Sequence, residues 1–60
     1  MNSYTLVTFV TFAHDTTRRV RVTPTVKAPS IAAAIVTLVT RLEQQQIAGQ
    51  VVTFTYPDPA

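Results

Sequence analysis

Four of the five basic residues, Arg18, Arg19, Arg21 and Lys27, fall within one short stretch, TTRRVRVTPTVK, Thr16–Lys27. Arg19, Arg21 and Lys27 hold odd positions, while Val20, Val22 and Val26 hold even ones. Side chains of an extended chain alternate between faces, so this pattern puts three cations on one face of one strand. Beside an aromatic ring, such a row has three uses. It can rim a protein interface whose centre is apolar. It can follow the phosphates of a single-stranded nucleic acid while the bases stack on the ring. Or it can stay hydrated and keep a sheet edge from pairing with another edge. Phe9, on the preceding strand, supplies the ring.

Other reactive side chains are sparse. His14 and Asp15 are neighbours, but no motif places a serine or cysteine nucleophile beside them. A histidine and an aspartate in a connecting loop read as turn chemistry rather than as an active site. The single glycine rules out a glycine-rich phosphate loop. With no cysteine, one histidine and three acids far apart, neither a disulfide nor a metal site is expected. We therefore assign no catalytic residue, cofactor or metal ligand, and expect a non-enzymatic protein.

Composition bounds the rest. Charged residues are 13% of the chain, against about 25% in an average domain. A net charge of +2 is small for a dedicated nucleic-acid binder, whose affinity grows with the phosphates it neutralises. Sixty residues form one domain, residues 1–56, with 57–60 as a disordered or extended tail. A chain this short buries only about 60% of the surface its unfolded form exposes. Without disulfides or metal, oligomerisation is the remaining way to enlarge the core, and a twofold dimer is its commonest form. The opening MNSYTLVTFV lacks the basic region of a secretory signal. The uncharged part of the second half is shorter than the ~20 residues of a membrane span. A cytoplasmic protein with no membrane contact is the expectation.

Threonine and valine fill 20 of the 60 positions, which favours strand. Residues 3–13, SYTLVTFVTFA, carry Tyr4, Leu6, Val10 and Phe12 on one face and Val7 and Phe9 on the other, so this strand should be central. Residues 18–27 form a second strand, and Pro24 within it predicts a sheet edge. The register that unites apolar residues pairs Phe12 with Val20, Val10 with Val22 and Leu6 with Val26, leaving a three-residue loop, Asp15–Thr17. Ala28–Gly49 reads as a helix with Ser30 as N-cap and Gly49 just past its end. Its core stripe is Ile31, Ala34, Ile35, Leu38 and Leu42, with Val36, Val39 and Ile47 beside it. Residues 50–56 form a third strand that turns Val52, Phe54 and Tyr56 to one face. Its two following prolines should end it. The predicted fold is α+β: β-β-α-β, a three-stranded mixed sheet of order 2-1-3 with one helix on one face.

That fold leaves the other sheet face open. Val7, Phe9 and Val51 should lie near its middle, among threonines, with Arg19, Arg21 and Lys27 along one margin. The expected function is a small protein-binding or oligomerisation module, an accessory or modulator acting on a protein partner. Its candidate contacts are Val7, Phe9, Arg19, Arg21 and Lys27 on the sheet, and Val36 and Ile47 on the surplus apolar arc of the helix. Single-stranded nucleic acid bound through Phe9, Arg19 and Arg21 is the alternative, and a merely solvated, edge-guarding face is the third reading. Threonine arrays also occur on ice-binding surfaces, but those need long flat repeats and a short sheet twists.

Overall fold

A computed structural model describes residues 1–60 and shows one helix packed on an antiparallel sheet. The elements are β1 (Asn2–Phe12), β2 (Val20–Val22), β3 (Thr25–Ala28), α1 (Ile31–Ile47), β4 (Val51–Phe54) and β5 (Asp58–Pro59). The sheet thus has five strand segments, where three strands were expected, and every pairing with the central strand is antiparallel, as its placement between the other two required. All four shorter segments pair with β1. β2 and β3 follow one another along one of its sides without a register slip, and β4 and β5 follow one another along the other. Strand β1 is central because both of its faces carry apolar groups and both of its sides find partners.

Proline explains the first division. Leu6 donates its N–H to Pro24 O at 2.9 Å, but Pro24 has no N–H to return. The ladder lapses at Thr23–Pro24 and resumes in the same register at Thr25. That register differs from the expected one by two residues: Val10 lies opposite Val20, and Tyr4 opposite Val26. A slip of two keeps every side chain on its face, so the arginines still face away from the helix, Val26 joins the core and Val22 packs against it, while Val20 at the end of the row stays largely exposed.

The connection from β1 to β2 is accordingly longer than three residues. Asp15 organises it. Its Oδ1 accepts from Thr17 Oγ1 at 2.6 Å and from Thr17 N at 3.2 Å, and Asp15 N donates to Phe12 O at 3.2 Å. The two Thr17 bonds, the hydroxyl's first, hold the Asp15 carboxyl below its ordinary value of 3.8. A lowered carboxyl stabilises the fold above its unfolded-state value, and that contribution is lost as pH falls through the folded-state value. Thr17→Val should therefore raise the Asp15 titration toward the ordinary value, as read by carboxyl NMR shifts.

Helix α1 begins where Ser30 Oγ accepts from Ala33 N at 3.2 Å. It ends in a glycine-dependent motif. Gly49 adopts φ 81°, Gly49 N donates to Gln46 O at 3.0 Å, and Gln50 N reaches back to Gln45 O at 2.9 Å. A Cβ at Gly49 would meet nothing within 4 Å. Gly49→Ala should then cost about 1 kcal/mol from backbone strain alone, measurable as a lower urea midpoint with an unchanged slope.

The core joins Leu6, Val10, Val26, Ala28 and Val51 of the sheet to Ala34, Leu38 and Leu42 of the helix. Ile35 packs against this cluster, whereas Ile31, expected within the core stripe, is exposed in the first turn. The largest departure is in β4. Thr53 lies opposite Thr11 but Val51 lies opposite Phe12, so Val52 is an extra residue in a β-bulge. One inserted residue reverses the faces before it. Val51, expected on the open face, is instead 3% exposed in the core, while Val52 turns outward. Tyr56, also expected against the helix, is exposed, because the chain leaves the ladder after Phe54.

At that departure one backbone bond remains, from Thr55 N to Phe9 O at 2.9 Å, and side chains supply the others. Thr55 Oγ1 accepts from Phe9 N at 2.9 Å, and the buried Thr8 donates its hydroxyl to Thr55 O at 2.6 Å. Pro57 is buried, and the tail then runs extended as β5, with Ala60 N donating to Thr5 O at 3.0 Å. Prolines are tolerated here because the row is an edge.

Candidate interaction surface

Helix α1 covers the face of β1 that carries Leu6 and Val10. The Cα trace is 13 Å through its shortest axis, enough for one sheet–helix layer pair at roughly 10 Å spacing and no second layer. The opposite face is therefore open. Along β1 it carries Thr5, Val7, Phe9 and Thr11. Register places Arg21 directly opposite Phe9, Thr25 opposite Thr5 and Lys27 opposite Ser3. The hydroxyls of Thr5 and Thr25 meet at 3.2 Å across this face.

Phe9 is the aromatic centre and is 39% exposed, with Val7 half-buried beside it. The Arg19 guanidinium carbon lies 5.6 Å from the Phe9 ring centroid, a cation–π arrangement. Phe9, Arg19 and Arg21 thus form one cluster. Lys27 stands apart, six residues along the row from Arg21 and so roughly 20 Å away. None of the side-chain hydrogen bonds uses an arginine or lysine. Across β1 from these cations, β5 sets Asp58 opposite Val7 on the same open face. The face therefore has a basic margin and an acidic margin. Nothing in the composition signals this, since it depends on the tail returning along β1.

Val36 and Ile47 are 63% and 88% exposed. They lie on the outer side of α1, with Thr40 and Glu43 between them on the same helical stripe. They form separate apolar points rather than a patch, and the sheet separates them from Phe9. The structure thus brings Val7, Phe9, Arg19 and Arg21 together, leaves Lys27 at the end of the same margin, and sets Val36 and Ile47 on another surface.

A second feature has no sequence signal. Beside β2, on the helix side of the sheet, a groove of about 420 Å³ is lined by Val10, Phe12, Val22, Pro24, Leu38 and Leu42, with Arg41 and Gln45 on the helix flank. His14 stacks on Phe12, ring centroids 5.6 Å apart. No group of three or more His, Asp or Glu side chains is placed to hold a metal ion. No helix is long and apolar enough to cross a membrane. Comparisons with protein-family models, curated proteins and solved structures gave no match.

Proposed function

We propose that this chain is a non-enzymatic protein-binding module that works by covering its Val7–Phe9 sheet face with another chain, in the first instance a second copy of itself. The observation that carries the reading is a mismatch between core and surface. Eleven of the sixty residues are buried, while Phe9 and several large aliphatic side chains stay exposed. Covering the face removes apolar area at about 25 cal/mol per Å² and extends a small core.

The two margins favour a twofold arrangement. An axis running along β1 between two open faces sets the Arg19–Arg21 margin of one copy over the Asp58 margin of the other. Unlike charges at the rim of an apolar centre give such a contact its orientation.

Sedimentation across a concentration series tests this. We expect self-association that Phe9→Lys abolishes and Val36→Lys leaves intact. A folded monomer at the highest concentration would contradict self-association, and disruption by Val36→Lys alone would move the contact to the helix.

Single-stranded nucleic acid is a second reading, favoured by the stacking of Arg19 on Phe9 and by Arg21 opposite the ring. An oligonucleotide titration at low salt should then show binding that weakens when Arg19 and Arg21 are both replaced by Ala, with the salt slope falling by about 0.7 for each phosphate no longer neutralised. No binding by the native protein at low salt would remove this reading.

A further inference from the structure

We infer that the outer edge of the β2–β3 row, Val20–Ala28, takes up an extended segment of another protein in which acidic and apolar residues alternate. The inference rests on the reading of the chain as a protein-binding module and names the chemistry of a partner.

The hydrogen-bond phase of the row decides which backbone groups are free. Leu6 N–H bonds to Pro24 O, so even-numbered residues of the row turn their backbone groups inward to β1. In an antiparallel ladder the alternate residues then turn theirs outward. These are Arg21, Thr23, Thr25 and Lys27, and none of them takes part in the backbone hydrogen bonds outside the ladders. Pro24 therefore removes a donor from the inner ladder and leaves the outer edge intact, the reverse of a proline that guards an edge. The opposite edge is less suited to receive a strand, because it is broken between β4 and β5 and carries Pro57 and Pro59.

The two faces flanking the edge specify what would bind. On the open face, an added strand sets alternate side chains beside Arg21 and Lys27, where carboxylates match the charge. On the helix face, Val20 is 42% exposed, and Val22 and Pro24 line the groove floored by Leu38 and Leu42. The remaining side chains of the added strand project there, and apolar groups fill it. Main-chain bonds give strand addition its affinity, and alternate pockets give it its specificity. A second copy is the wrong occupant for this edge. Twofold pairing brings the two cation rows side by side, and like charges across a ladder destabilise it.

The probe is a peptide of about seven residues, one strand's length, alternating Glu and Val and carrying a fluorophore. It is titrated into the intact protein by anisotropy, with amide shifts recorded by NMR. Two controls replace Glu by Lys, or N-methylate alternate backbone nitrogens. We expect the Glu–Val peptide to bind and to shift the amides of Arg21, Thr23, Thr25 and Lys27. The Lys peptide should bind at least about tenfold more weakly, because it opposes like charges, and N-methylation should abolish binding. Arg21→Gln should weaken the Glu–Val complex, and Arg21→Glu should narrow the preference for it over the Lys peptide. No binding by the folded protein, equal binding of either control, or shifts centred on Val7 and Phe9 would overturn the inference. Sedimentation of the same samples separates the two claims. Self-association without peptide binding overturns the edge alone; peptide binding by a strict monomer overturns the self-association reading alone.

Discussion

Leu6→Ala should cost about 3–5 kcal/mol and leave little or no folded protein at ordinary temperature. Leu6 is 0% exposed, sits at the middle of the central strand and belongs to a core of only eight buried hydrophobic residues. Truncating a buried leucine loses its transfer energy and leaves a cavity that the neighbours only partly fill. Total stabilities run about 5–15 kcal/mol, and a chain this short sits toward the lower end. Ile47→Ala is the control: at 88% exposure it should change stability by less than about 0.5 kcal/mol. Urea unfolding followed by circular dichroism measures both. A small loss for Leu6→Ala would mean that the core lies elsewhere.

Thr8→Val should cost about 1–3 kcal/mol, although it keeps the shape of a buried side chain. Thr8 is 1% exposed, and its hydroxyl donates to Thr55 O at 2.6 Å where β4 leaves β1. No buried side-chain polar atom in the protein lacks a partner. The substitution removes a partner from the Thr55 carbonyl at the point that ties the tail back to the sheet. Thr8→Ser, which retains the hydroxyl, should recover most of the loss. Hydrogen exchange of the Thr55 and Ala60 amides should accelerate in Thr8→Val and stay slow in Thr8→Ser.

The parity of β1 was legible in the sequence because large apolar groups on both faces of one strand admit only a central place. The helix was legible because Ser30 and Gly49 mark its ends by local chemistry. The open face around Val7, Phe9 and Arg21 followed from the same alternation and survived a two-residue error in register, since a shift by two leaves faces unchanged. Val51 did not survive. A bulge at Val52 adds one residue, and no residue type there announces it. The return of Asp58–Ala60 along β1 was also hidden, because two prolines in four residues read as an end to pairing. Only the unfilled side of a central strand makes their place tolerable.

Side-chain NMR on dilution reads out whether the Val7–Phe9 face is an interface between copies. Burial of that face between two copies predicts concentration-dependent shifts of the Val7 methyls, the Phe9 ring and the Arg19 and Arg21 side chains, with Val36 and Ile47 unchanged. Shifts confined to Val36 and Ile47, or none across the full concentration range, would contradict it.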